Sequence, residues 1–204
     1  GGINLDARLD YNNELGESKT KAVQSFIKYA QESLKDHEIY LSADVYGWTS
    51  TAINDVGIGQ HWEGVSNVID VISPMFYPSH YGPGNYGFEV PDSHPYEVMF
   101  KATEDAVMRN SNIETPAKIR PWIQSFTATW VDGHIRYTID KVNDQIRALK
   151  EFGIDEYMLW NFQDKAPRYR SPTLYKNGKR VEDTKDKYGP ELASDFICDF
   201  IERN

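Results

Sequence analysis

The chain has 204 residues, a formal net charge of −9 at pH 7 and one cysteine, Cys198. This length can bury a hydrophobic core without disulfides or metals. The acidic balance argues against binding to nucleic acid or an anionic membrane, because either needs a basic face. No apolar run reaches the length of a transmembrane helix, so we expect no membrane segment in this chain. Cys198 lies in an apolar helical stripe, which predicts a buried and unreactive thiol.

The first predicted elements are a helix and a strand. Ser18 is a good N-cap residue, and residues 39–46 alternate in polarity and predict a strand. A short helix at 61–67 leads to a second strand at 68–77. The apolar residues of the first helix fall on one stripe: Ala22, Val23, Phe26, Ile27, Ala30 and Leu34.

The middle of the chain combines a long loop with further helices and a strand. Residues 78–96 are rich in Gly, Pro and Tyr, and a loop of this length in a compact domain is usually functional or disordered. The periodic pattern then predicts a helix that begins near His94-Pro95 and runs to about Asn110, followed by a strand at 118–126. A further helix begins after Thr138 and ends at Gly153.

The carboxyl-terminal part begins with a fourth strand, predicted at 155–162. Residues 163–189 are polar and predict a loop or hairpin insertion with a turn at 176–179. A final helix is predicted from Pro190. Four strands separated by helices predict an α/β fold in which right-handed crossovers build a parallel sheet.

Two prolines interrupt the strand pattern. Pro74 and Pro121 lie inside strand runs, where a residue without an N–H cannot donate to the ladder, so they predict bulges or sheet edges. A small open α/β sheet whose site lies elsewhere is therefore an alternative to a barrel-like arrangement.

Polar and aromatic residues follow all four predicted strands, at the end where parallel α/β folds bind ligands. Such a surface suits a sugar, because aromatic planes stack on its C–H faces while amides, carboxylates and phenols bind its hydroxyls. The single tryptophans could equally fill the core. The predicted substrate-binding residues are Tyr46, Tyr77, His80, Trp122, Gln124, Trp160 and Asn161, and Trp48 is a further candidate.

Asp44 is the most informative acid in the sequence. A carboxylate on a strand is costly unless it faces a polar cavity or a partner, so Asp44 is either a functional acid or an ion-paired or capping residue. Asp70 and Asp155, at strand starts, are predicted to be structural. His80 either binds a substrate hydroxyl or carries a proton, or is a loop histidine bonded to the backbone. No spacing of ligands resembles a metal site, and no glycine motif or nucleophile elbow is present, so we expect neither metal nor cofactor.

Four strings carry a resemblance to a known family: SADVYGWT at 42–49, DVISPMFYPSHYGPGNYGFEVPD at 70–92, KIRPWIQSF at 118–126 and YMLWN at 157–161. They resemble a bacterial family of proposed glycoside hydrolases with a (β/α)8 barrel related to the α-amylase and α-galactosidase barrels. The match runs in order from about residue 3 to about residue 165. The resemblance implies a partial TIM barrel in which residues 1–204 form a single domain, the carboxyl-terminal half with strands five to eight.

The resemblance also implies catalysis by two carboxylates. Asp44 is then the candidate acid/base, its partner is expected outside this chain, and Asp164 is a weaker second candidate. This implies that the chain alone is inactive, and that the full-length bacterial protein could act outside the cell or at its surface. A half-barrel exposes sheet edges, so we expect the segment 163–189 to cover an edge, or a homodimer or the amino-terminal half of the barrel to do so. The rival function is a non-catalytic carbohydrate-binding protein on the same scaffold.

Overall fold

The structure is a computed structural model that describes residues 17–37, 39–161, 173–176 and 179–180. The predicted Asp164, Cys198 and Pro190 helix lie outside these residues. In the part described, no helix is long and apolar enough to cross a membrane. The elements in chain order are α1 Lys19–Leu34, β1 Ser42–Tyr46, α2 Trp62–Ser66, β2 Val71–Phe76, α3 Pro95–Asn110, β3 Lys118–Ile119, β4 Trp122–Gln124, α4 Ile139–Lys150, β5 Glu156–Trp160, β6 Thr173–Lys176 and β7 Lys179–Arg180.

The sheet confirms the predicted α/β class. Strands β1, β2, β4 and β5 lie side by side in chain order and pair in parallel, and β3 pairs with β2 just ahead of β4. This order is consistent with successive units of a partial βα barrel. Strand β6 then pairs antiparallel with β5, so it covers that edge of the sheet, and β7 pairs antiparallel with β6. The hairpin predicted around residues 176–179 is confirmed, with Lys176 opposite Lys179.

The two faces of the sheet differ in what covers them. One face packs against the helices through a core that includes Ile72, Phe76 and Ile123, each at most 1% exposed. The other face, which we call the open face, carries a separate and smaller apolar cluster with Trp122 and Met158 at its centre. Polar residues can therefore lie on the open face without disturbing the helix-covered core.

The two prolines face each other across the sheet. Strands β2 and β3 pair Ile72 with Ile119, and β2 and β4 pair Met75 with Trp122, so the same offset puts Pro74 opposite Pro121. Because neither proline has an N–H, the ladder is interrupted there, and the strand predicted at 118–126 divides into β3 and β4. The carbonyl of Pro121 still accepts from the N–H of Met158, which keeps β4 paired with β5.

Helix α1 forms as predicted but buries less than its sequence suggests. The Ser18 side chain accepts from the N–H of Lys21 and caps the helix. Val23 and Ile27 pack against the core, but Phe26 is 71% exposed and no residue of α1 is fully buried. Helix α1 packs chiefly against α2, so the other described elements cover little of its surface.

Candidate functional site

Asp44 lies on the open face, near the carboxyl end of β1. Its side chain is exposed, and its Oδ1 accepts a 2.8 Å hydrogen bond from Nε1 of Trp122. The Trp122 ring is only 7% exposed and meets the edge of Trp160 at 5.7 Å between ring centroids. No lysine or arginine forms a salt bridge with Asp44 within the described ranges. The indole therefore orients one carboxylate oxygen and leaves the other oxygen for a ligand.

Tyr77 lies near Asp44 just beyond the end of β2. Its side chain is 6% exposed, and burial together with the negative charge of Asp44 raises the pKa of its phenol. The phenol therefore remains neutral at physiological pH. Its ring packs edge-on against His80 and Phe126, with centroids 5.2 and 5.9 Å away. Tyr77 thus joins Asp44 to the aromatic residues of the following loop.

His80 is exposed in the short helical turn after β2. Its Nδ1 lies 3.0 Å from Oγ of Ser79, so the ring is held by a neighbouring side chain. Partial removal of the ring from water lowers the pKa of His80, and the nearby Asp92 carboxylate opposes this effect. At neutral pH the imidazole is consequently neutral and can accept or donate a hydrogen bond at Nε2.

Gln124, which the sequence suggested for substrate binding, is enclosed within the protein. It is 0% exposed, and its amide is fully used within the protein. Its Oε1 accepts from the N–H of Ser79, while its Nε2 donates to Oδ1 of Asp92 and to the carbonyl of Phe126. Burial explains the difference, because an enclosed amide must satisfy its own hydrogen bonds and these were available from the loop behind it. Gln124 therefore positions the loop that carries His80.

Asp92 is a functional candidate that sequence reasoning missed. This carboxylate is 1% exposed, and its Oδ2 accepts from the N–H of Ile135 while its backbone carbonyl accepts from the Tyr137 hydroxyl. With its bond to Gln124, it ties the loop after β2 to the loop after β4. The sequence signal was weak, because an Asp after a proline in a long loop resembles any turn residue.

Trp130 is the second missed candidate. It is 57% exposed, and its ring stacks on Phe126 with centroids 5.9 Å apart. The Trp130 and His80 rings meet edge to face, with centroids 6.4 Å apart. Its position after β4, two residues before an Asp-Gly turn, was the available signal. Because its face is presented to solvent beside His80, Trp130 adds an aromatic plane to the open face.

The remaining predicted residues surround Asp44 to different degrees. Tyr46 and Trp160 are 37% and 43% exposed, and Asn161 is exposed at the end of β5. The N–H of Tyr46 donates to Oε1 of Gln60, which fixes the end of β1. Trp48 is half-buried and meets Tyr81 edge-on, so it belongs to a wall of the site.

The opposite end of the strands is a charged structural cluster. Glu156 is 5% exposed and accepts from Nζ of Lys118 at 2.7 Å and from Nη2 of Arg120 at 3.0 Å. At this same end Asp70 accepts from the N–H of Leu41, which confirms its predicted structural role. Among the described residues, no three His, Cys, Asp or Glu side chains come together as metal ligands.

The fold and the site define an α/β protein whose parallel sheet presents a carboxylate among aromatic side chains at the carboxyl ends of its strands. A family model described as "Putative glycosyl hydrolase domain" matches residues 4–166. This match covers most of the chain, and the protein belongs to that family. No curated protein matches the sequence.

Proposed function

We propose that this protein hydrolyses a glycosidic bond of an oligo- or polysaccharide, with Asp44 as the general acid/base. The observation that carries the proposal is the exposed carboxylate of Asp44, held at Oδ1 by Trp122 and surrounded by aromatic side chains. In this role the protonated carboxyl group donates to the glycosidic oxygen as the bond to the sugar breaks.

The second carboxylate is proposed to come from elsewhere. Glycoside hydrolysis uses two carboxyl groups, about 5–5.5 Å apart for retention and about 6.5–9.5 Å apart for inversion. Glu156 is neutralised by Lys118 and Arg120, and Asp92 is buried and hydrogen-bonded to Gln124, so neither is available to a sugar. We therefore propose Asp164, or a carboxylate outside this chain on the remaining half of a barrel or on a second copy.

We propose that the exposed side chains around Asp44 make the contacts with the sugar. Tyr46, Trp160 and Trp130 offer exposed aromatic surface for the C–H faces of sugar rings, and His80 and Asn161 offer hydrogen bonds to hydroxyls. Tyr77 and Trp122 lie behind them and orient His80 and Asp44. Gln124 supports this arrangement from beneath without touching substrate.

Asp44→Asn tests the proposal in the full-length protein. We expect turnover to fall by roughly 10²–10⁴-fold, because general acid/base catalysis contributes about that factor, while sugar binding is kept. Asp140→Asn, an exposed position in the first turn of α4, is the matched control and should leave turnover unchanged. Equal activity in the wild type and Asp44→Asn would refute the assigned role.

A non-catalytic carbohydrate-binding function is the second candidate. It is favoured by one observation, that Asp44 is the only carboxylate of the described residues proposed to face the sugar. Wild-type protein that binds glycans but hydrolyses none of a broad panel would support this alternative.

A further inference from the structure

A cleft of about 280 Å³ lies beside His80, between the end of β1 and the loop after β2. Tyr46, Trp48 and Tyr81 give it aromatic walls, and His80 borders it. We call it the Tyr81 cleft. Tyr46 lies two residues beyond Asp44 on the same strand face, a separation of about 7 Å along a strand. The cleft therefore adjoins the open face and begins two residues along β1 from the proposed acid, Asp44.

The wall formed by the end of β1 is held rigidly. Gly47 packs so closely on β2 that a Cβ atom there would lie 2.2 Å from the carbonyl oxygen of Met75. Arg109 binds the carbonyl of Thr49 at 2.9 Å and pairs with Glu63, its Nε lying 2.6 Å from Oε1. Burial acts to raise the pKa of Glu63, but the hydrogen bond and charge of Arg109 outweigh it and lower that pKa. The cleft is thus preformed, which reduces the entropic cost of binding a ligand.

One backbone feature of the cleft is unfavourable for the protein on its own. Val56, which also lines the cleft, has a φ of 55°, a left-handed conformation that is strained for a β-branched residue. Strain of this kind concentrates at binding sites.

The charge around the cleft excludes acidic ligands. The described residues that line it include no lysine, arginine, aspartate or glutamate, and its nearest carboxylate on β1, Asp44, would repel an anion. The cations of the open face, Lys118 and Arg120, lie at the opposite end of the strands and are paired with Glu156. The whole chain carries a net charge of −9, which adds to the repulsion.

We propose that the Tyr81 cleft is a subsite for one uncharged sugar ring, and that the protein selects neutral glycans over acidic ones. This inference rests on the proposed function and adds the substrate class. A volume near the lower end of ligand pockets, about 300 Å³, fits a single ring better than a branched ligand. The aromatic walls stack on the faces of the ring.

The test measures binding to the 204-residue chain by calorimetry. The probes are maltotriose, cellotriose and laminaritriose as neutral sugars and trigalacturonic acid as the acidic one. We expect at least one neutral trisaccharide to bind and trigalacturonic acid to bind at least tenfold more weakly. Tyr46→Ala should weaken binding of the neutral sugar by roughly tenfold, because it removes an exposed aromatic wall of the cleft.

Tyr29→Ala on α1 is the matched control. Tyr29 is 57% exposed and does not line the cleft, so its removal should leave affinity unchanged, and the urea midpoints of both variants report whether each remains folded. Unchanged affinity in Tyr46→Ala, tight binding of trigalacturonic acid, or no binding of any neutral probe would overturn the inference. Because hydrolysis plays no part in this readout, binding without turnover would refute only the proposed activity.

Discussion

Nε1 of Trp122 donates to Oδ1 of Asp44 at 2.8 Å, although the two residues are 78 positions apart and strand β2 lies between their strands. This bond crosses the open face and fixes the direction of the carboxylate. The proposed chemistry of the exposed Asp44 therefore depends on how the nearly buried Trp122 is packed.

Trp122→Phe tests that relationship. The substitution keeps an aromatic ring against Trp160 but removes the N–H, so we expect the carboxylate to lose its fixed direction and kcat to fall by roughly fivefold, the effect of one hydrogen bond of about 1 kcal/mol. Urea denaturation should show a loss of roughly 1 kcal/mol or somewhat more, since the smaller ring also leaves space. Trp62→Phe, which removes an indole N–H bonded to Oδ1 of Asn110 in the helix-covered core and leaves the bond to Asp44 in place, should keep kcat within twofold. A similar kcat loss in both variants would contradict the role of the indole N–H.

Asp92→Asn tests the support beneath His80. Asp92 accepts from two N–H donors, Gln124 Nε2 and the Ile135 amide, and an asparagine must turn its NH₂ group towards one of them. We expect unfolding free energy to fall by roughly 1–3 kcal/mol, the cost of an unsatisfied buried group. The pKa of His80, followed by NMR of the ring protons, should fall further because the opposing negative charge is removed. An unchanged pKa of His80 would show that Asp92 does not act on it.

The lowered pKa of His80 predicts a pH dependence of stability. Below the unfolded value, about 6.5, the unfolded chain binds this proton more readily than the folded protein does. Stability therefore falls as the pH drops from about 7 through the folded pKa, and rises as the pH is raised through that window. His80→Gln should flatten this segment of the stability curve, whereas His134→Gln, in an exposed loop, should leave the segment as it is. A curve that keeps its slope in His80→Gln would contradict the assignment.

Trp130→Ala tests the additional aromatic plane. The side chain is 57% exposed, so its removal should cost little stability but weaken binding of a neutral trisaccharide by roughly tenfold, equivalent to about 1.4 kcal/mol. Met108→Ala on α3 is the matched control, because Met108 is 60% exposed and lies on a helix. Equal affinity in both variants, measured by calorimetry, would show that Trp130 does not contribute to sugar binding.

The order of the helices and strands could be predicted from the sequence because each element depends on the pattern of residues close together in the chain. The alternation in β1, the Ser18 cap and the turn at 176–179 depend on neighbours in the chain, and all three agree with the structure. Asp44 was found for a similar reason, since a lone acid on the polar face of a strand is visible locally.

The other features of the site could not be predicted, because they depend on contacts between residues far apart in the chain. The enclosure of Gln124 depends on Asp92 and Ser79 from another loop, and no local pattern reports it. The stack of Trp130 on Phe126 likewise depends on how one loop returns over the sheet. The break at Pro121 was anticipated as an irregularity, but only the register shows that Pro74 stands opposite it.

The most direct test of the account compares leaving groups in Asp44→Asn. A general acid is needed when the departing oxygen is basic and is nearly unnecessary when the leaving group is a dinitrophenolate. We predict that kcat/KM of Asp44→Asn in the full-length protein falls at least 100-fold on an unactivated glycoside, consistent with roughly 10²–10⁴-fold for acid/base catalysis, and far less on the dinitrophenyl glycoside of the same sugar. Equal losses on the two substrates, or no loss on either, would contradict the assignment of Asp44 as the acid/base.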